Sequence, residues 1–181
     1  MSVKPLVIFD LDGTLIWATR VFNVDANPDT GADFIIQVYG ETWSVRKRPG
    51  LDAFLEWCHQ HFRLAVWTAA RPAYAQAISE HLFRGMELEF IFSRPETQIE
   101  PSPIDGDLIY RKPLRRIWFL PFRWFHYANT RIIDDTPETY AFNEENAIPI
   151  VTWTEDAKDV ELLRIQLVLA EWLEKIKAQD E

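Results

Sequence analysis

Two carboxylates, Asp10 and Asp12, stand two residues apart where the apolar run Pro5-Leu6-Val7-Ile8-Phe9 ends, and Gly13-Thr14-Leu15 follows. In an extended strand, positions i and i+2 point to the same side. Both carboxylates can therefore face one ligand. Gly13 permits a sharp turn after them, and the Thr14 hydroxyl can tie that turn down. Two anionic groups held this close repel each other. A divalent cation or a shared proton offsets the repulsion.

Other polar residues follow apolar runs in the same way. Arg63-Leu64-Ala65-Val66-Trp67 reads as a buried strand and leads into Thr68-Ala69-Ala70. Arg131-Ile132-Ile133 reads as a strand ending in Asp134-Asp135. If these strands and the first one are parallel neighbours, Asp10, Asp12, Thr68, Asp134 and Asp135 converge on one crevice. Lys112, in Tyr110-Arg111-Lys112-Pro113, adds a cation there. Ligands of such sheets bind beyond the carboxyl ends of the strands.

The remaining elements alternate between strand and helix. Phe34 to Val45 reads as a β-hairpin turning at Gly40-Glu41. Helices are expected from Leu51, from Pro72 after Arg71, from Pro113 to about Leu120, and over 156–178 with Leu162, Leu163, Ile165, Leu169, Trp172, Leu173 and Ile176 as its apolar stripe. Glu89 to Phe92 is a short strand, 93–109 a loop, and Ile148 to Val151 a strand placed near an edge by Pro149. The pattern predicts an α/β layered fold with a central, mostly parallel sheet, in one domain spanning 1–181 with a hairpin insertion at 33–46 and a loop with an aromatic and basic insertion at 93–130.

Net charge is −9 over 181 residues, which argues against a general nucleic-acid binder. Basic residues nonetheless gather at Arg46-Lys47-Arg48 and from Arg111 to Arg131, which suits one anionic ligand or a solvated face. No uncharged apolar run is long enough to span a membrane, and no basic-then-apolar leader precedes the first strand. The lone cysteine, Cys58, fits a reducing compartment and reads as a buried or half-buried thiol without a chemical role. A cytoplasmic location is expected, with the nucleus also open. Trp67 and Trp153 read as core, and His59 and His61 as surface or helix-end residues. The aromatics of 117–127 read either as packing under the sheet or as a docking surface.

Strand-Asp10-x-Asp12-x-Thr14, the strand-terminal Thr68, Lys112 and the pair Asp134-Asp135 resemble the four motifs of the haloacid dehalogenase (HAD) superfamily. Further landmarks run in order: Ala32-Asp33-Phe34-Ile35-Ile36, Lys47-Arg48-Pro49-Gly50-Leu51, Trp67-Thr68-Ala69-Ala70 with Tyr74, Asp134 to Tyr140, and Asn146-Ala147-Ile148-Pro149-Ile150 with Trp153. Together they resemble the FCP/SCP-like branch. These are small phosphatases of the RNA polymerase II carboxy-terminal domain, with relatives in nuclear-envelope and mitochondrial import proteins. The resemblance implies a Rossmann-like HAD fold with no large cap and a Mg²⁺-dependent phosphatase. It implies Asp10 as the nucleophile forming an aspartyl-phosphate and Asp12 as general acid and base. Mg²⁺ would lie among Asp10, Asp12 through its main-chain carbonyl, Asp134 and Asp135. Thr68, Ala69 and Lys112 would hold the phosphoryl group.

Three positions depart from the branch. Gly13 stands where Glu is usual, Asp135 where Asn is usual, and Arg71 where the branch has an apolar wall for a substrate proline. Arg71, Tyr74 and Arg123 are expected at the substrate entrance. The expected substrate is a phosphorylated protein or another large phosphoester. A nucleic-acid end or a small metabolite, with nucleic acid as substrate only, is the enzymatic alternative. A non-catalytic binding module on the same fold is the other.

Overall fold

The computed structural model describes residues 4–22, 31–118 and 125–179. In chain order the elements are β1 (Leu6–Phe9), β2 (Ile16–Val21), β3 (Phe34–Val38), β4 (Glu41–Lys47), α1 (Leu51–His61), β5 (Arg63–Trp67), α2 (Pro72–Leu82), β6 (Leu88–Phe92), β7 (Gln98–Pro101), β8 (Leu108–Arg111), α3 (Arg115–Trp118), β9 (Thr130–Asp134), α4 (Pro137–Tyr140), β10 (Ala147–Pro149) and α5 (Glu161–Gln179).

Five of the strands form one parallel sheet in the order β10-β9-β1-β5-β6. β1 lies at its centre, and every residue of Leu6-Val7-Ile8-Phe9 is buried. A strand covered on both faces needs apolar residues at every position, not alternate ones. The alternation shows instead in which layer each residue joins. Val7 and Phe9 pack with α1, α2 and α5, through Phe54, Ile78, Ile165 and Leu169. Leu6 and Ile8 pack on the other face with Trp67, Leu114, Ile117, Phe125 and Tyr140. Trp67, Trp153 and Cys58 are buried as expected, and β10 with Pro149 forms a sheet edge. The α/β architecture with a central parallel sheet is thus the one expected.

The insertion after the first motif is a three-stranded antiparallel sheet in the order β2-β4-β3. The sequence reading supplied two of its strands and left β2 unassigned. β2 has one half-open face, so its residues show no clean apolar alternation. The segment 93–109 is not simply a loop. It contains β7 and the start of β8, an antiparallel hairpin joined across the strands by Arg111 and Glu100 at 2.6 Å. Its Pro and Gly residues gave a turn signal, and cross-strand pairing supplies what apolar burial does not. Helix α3 covers four residues, shorter than the expected 113–120, of which 119–120 lie outside the described residues.

Helix α5 starts at Glu161, not at 156, because the preceding residues are used elsewhere. The main-chain carbonyl of Asp156 accepts from the Trp153 indole at 2.9 Å, and Asp159 caps the Glu161 N–H at 3.1 Å. Asp159 also receives both forks of Arg48 at 2.8 Å each. Arg48 is 1% exposed and further donates to the carbonyls of Thr14 at 3.0 Å and Val151 at 2.9 Å. The Arg46-Lys47-Arg48 cluster is therefore no anion site. Arg46 pairs with Glu155, Lys47 with Asp52, and Arg48 clamps the first-motif turn to the approach of α5.

Candidate active site

β9, β1 and β5 are adjacent in the sheet, so their carboxyl ends open on one place. A cavity of about 580 Å³ lies there, lined by Asp10, Asp12, Thr68, Ala69, Lys112 and Asp134 among others. Of the five residues expected to converge from the strand ends, Asp10, Asp12, Thr68 and Asp134 line this cavity and Asp135 does not. Asp10 follows β1, its N–H bonded to the Ile133 carbonyl of β9 at 3.0 Å. Thr68 follows β5, its N–H bonded to Phe92 of β6 at 3.0 Å. Its hydroxyl accepts from the Ala70 N–H at 3.1 Å and pins the loop toward α2. Lys112 comes from β8, and its own N–H reaches the Thr139 carbonyl at 2.7 Å.

Lys112 ties the charged groups together. Its ammonium, 1% exposed, donates to Asp10 Oδ1 and to Asp134 Oδ2, each at 2.6 Å. Asp134 is further held by the Thr139 hydroxyl at 2.7 Å and the Thr136 N–H at 2.9 Å. Asp12 takes the Tyr74 hydroxyl at 2.6 Å. Asp135 lies outside the cavity lining and accepts from Thr14 at 2.9 Å and Thr152 at 2.8 Å. Gly13 is required at this turn. Its φ is +76°, and a Cβ there would come within 2.7 Å of Asp135 Oδ2.

Burial pushes the Asp10 carboxyl up to about 8; Lys112 pulls against that shift and Asp134 adds to it. Asp12 is raised as well, by burial, with the Tyr74 bond working the other way. Burial pulls on Lys112 in the opposite sense, but Asp10 and Asp134 outweigh it and keep the ammonium charged. Oxygens of Asp10, Asp134 and Asp135 all lie within 4.8 Å of one another. With all three ionised, the carboxylates exceed the one ammonium by two negative charges. An all-oxygen donor set of that charge fits a hard divalent cation.

The cavity lining includes residues that sequence reasoning missed. Arg71 and Tyr74 line it, and so do Arg20, Glu41, Trp43, Arg94, Thr136 and Thr139. Only the hairpin signal hinted at Glu41 and Trp43, because their contribution depends on how the small sheet leans on α2. Arg123 lies outside the described residues. Of the basic stretch, Lys112 enters the site, Arg111 pairs with Glu100, Arg116 bonds the Glu96 carbonyl at 2.6 Å, and Arg131 lies over Trp172. Ile117 and Phe125 are core residues, while Tyr127 is exposed. His59 is exposed, and the His61 ring bonds the Trp57 carbonyl within its own helix.

Three of the relatives that are 31% identical to this chain show the range of their names. They are nuclear envelope morphology protein 1 of Schizosaccharomyces pombe over 165 residues, CTD nuclear envelope phosphatase 1 of Xenopus tropicalis over 171, and carboxy-terminal domain RNA polymerase II polypeptide A small phosphatase 2 of Homo sapiens over 164. The matches cover 90%, 90% and 88% of this chain, and 32%, 64% and 54% of those proteins. The solved structure of Fcp1, an essential RNA polymerase II CTD phosphatase, shares the fold with a TM-score of 0.60 at 21% identity, over 97% of this chain and 50% of that one. Among the described residues no helix is long and apolar enough to cross a membrane. The model of the NLI interacting factor-like phosphatases matches residues 5–180, and the chain belongs to that family.

Proposed function

We propose that the protein is a Mg²⁺-dependent phosphatase that hydrolyses a phosphomonoester on a protein through an aspartyl-phosphate. The observation that carries this reading is the buried Lys112 bridging Asp10 and Asp134 in a cavity that also holds Asp12 and Thr68. A bridge of this kind holds the Asp10 carboxylate ready beside a fixed positive charge. Asp10 attacks phosphorus and takes the phosphoryl group, and the bond to the leaving oxygen breaks. Asp12, whose carboxyl is raised above its ordinary value, gives its proton to that oxygen and then accepts one from the water that cleaves the acyl phosphate. Lys112, the Thr68 hydroxyl and the Ala69 N–H hold the phosphoryl oxygens. Asp10, Asp134, Asp135 and the main-chain carbonyl of Asp12 would hold the Mg²⁺ ion, which when bound supplies charge neutralisation for phosphate and carboxylate together.

Arg71, Tyr74 and Arg123 frame the substrate entrance in this reading. Among the described residues the small sheet of β2, β3 and β4 borders the cavity and no further domain covers it, which leaves room for a macromolecular phosphoester. The names of the human and frog relatives, which include CTD phosphatases, support a phosphoprotein. We place the protein in the cytoplasm, in keeping with the buried free thiol of Cys58; the relatives named for the nuclear envelope make attachment at that membrane the alternative, and a fluorescent fusion separates the two.

Turnover of an aryl phosphate tests the reading. Activity should require Mg²⁺, cease in excess chelator, and fall at least about 10³-fold in Asp10→Asn. Undiminished turnover by Asp10→Asn would sink it.

A further inference from the structure

One wall of the cavity carries charge that the phosphoryl chemistry leaves unused. Arg20 of β2 and Arg71 at the start of α2 both reach the carboxylate of Glu41 on β4, at 3.1 and 3.2 Å. The two arginine side chains are each 46% exposed, and Glu41 is 21% exposed. One carboxylate balances only one of the two guanidinium groups, so the trio keeps a surplus positive charge on the lining of the cavity. Each guanidinium has five N–H donors in a fixed fork that matches carboxylate and phosphate oxygens.

The trio is held in place, not loosely exposed. The Arg71 guanidinium lies over the Tyr39 ring, 3.9 Å from its centroid. The Tyr39 hydroxyl accepts from the Ala73 N–H at 3.0 Å, which fastens the hairpin turn to the first turn of α2. Tyr39 does this with φ at +55°, a conformation that a non-glycine residue adopts at a cost of about 1 kcal/mol. Strain of this kind persists where surrounding contacts impose it. Trp43, edge-on to Tyr74 at 5.4 Å, walls the space between the trio and Asp12.

The opposite rim has the other sign. A smaller cavity of about 320 Å³ shares Ala69, Thr136 and Thr139 with the main one and is lined by Asp105, Asp107 and Glu138. Arg94, which also lines the main cavity, lies over Tyr110 at that end and offsets one of the three carboxylates, so the excess charge there is negative and an extended ligand is oriented between the two ends.

We infer that Arg20, Glu41 and Arg71 form a second anion subsite. It takes an acidic or phosphorylated side chain flanking the residue whose phosphate sits at Asp10, on one side of that residue only. The inference rests on the phosphatase reading for the first phosphate. The incoming anion competes with Glu41 for the two forks, and the acidic rim repels the same group on the other side.

The test uses peptides carrying one central phosphoserine in an alanine background. One Glu, or one additional phosphoserine, is placed in turn at each of the three positions before and after it. Binding to the full chain carrying Asp10→Asn is read by fluorescence anisotropy. Acidic residues on one side should tighten binding about fivefold, phosphoserine more than Glu, and residues on the other side should not. The ratio of acidic to alanine peptide should fall to about one in Arg20→Ala and in Arg71→Ala, rise in Glu41→Gln, and shrink in high salt. A ratio near one for every peptide, a gain equal on both sides, or a gain that survives both arginine variants would overturn the inference. Failure of the phosphatase reading shows separately, as absent aryl phosphate turnover together with phosphorylated peptides that bind no better than their unphosphorylated forms.

Discussion

Asp12 and Tyr74 show how one hydrogen bond can set a proton's availability. The Tyr74 hydroxyl donates to Asp12 Oδ1 at 2.6 Å and lowers a carboxyl that burial raises. A general acid must be protonated at the working pH. Removing the hydroxyl takes away the largest effect that opposes the upward shift, so Tyr74→Phe should lift the pKa of Asp12 further. The alkaline limb of the pH–rate profile should then move to higher pH, and turnover near neutrality should fall modestly, by about tenfold or less. A limb that stays in place would show that Asp12 is not the acid. The departures at positions 13 and 135 also have a local cause. Gly13 gives Asp135 the space that any Cβ would take, so Asp135 can receive both Thr14 and Thr152.

At the scale of elements, the first-motif turn is held from outside itself. Arg48, at the end of β4, bonds the Thr14 carbonyl, the Val151 carbonyl after β10, and both oxygens of Asp159 before α5. Breaking a buried ion pair from one side leaves the partner uncompensated and costs about 3–5 kcal/mol. Arg48→Ala should lower Tm by about 10 °C or more, measured by thermal denaturation. The pH dependence has a definite sign. Asp159 is held below its ordinary carboxyl value, first by the Arg48 bond. Its contribution to stability is therefore complete above that ordinary value and is lost as pH falls through the depressed one. The wild-type protein should lose more stability than Arg48→Ala over that acid range. Equal acid sensitivity would assign the clamp a packing role without charge.

For the molecule as a whole, metal, proton and folding are linked through Asp10. Its folded value of about 8 lies above the ordinary 3.8. The metal-free folded state thus holds a proton that the unfolded chain releases. Its stability should fall as pH rises between those two values and level off above about 8. A divalent cation needs Asp10 ionised, so its affinity should rise up to about tenfold per pH unit below that point. Mg²⁺ at about a hundred times its dissociation constant contributes about 2.7 kcal/mol, or about 5–10 °C in Tm for a chain of this size. That Mg²⁺-induced shift at fixed concentration should grow from about pH 6 to about pH 8 and be lost in Asp10→Asn. A shift that is the same at both pH values, or that survives the substitution, would separate the metal from Asp10.

The sequence alone determined what depends on short-range pattern. The buried run before Asp10, the strand into Thr68 and the strand into Asp134 are each continuous apolar stretches that stop at polar residues, so their type and carboxyl ends are readable without a partner. Their parallel order then follows from few alternatives, and with it the meeting of Asp10, Asp12, Thr68 and Asp134; Lys112 arrives from the end of the β7-β8 hairpin. The strands β2, β7 and β8 were hidden because cross-strand pairing, β2 with β4 and β7 with β8, and not their own apolar pattern, stabilises them. Only the tertiary structure turned Arg48 from a surface cation into a buried clamp, since Asp159 lies 111 positions away. Only it brought Arg20, Glu41 and Arg71 to one carboxylate-centred contact. A charged side chain reads the same in sequence whether solvated, paired or waiting for a ligand; what distinguishes these states is the set of groups that folding brings within a few ångströms.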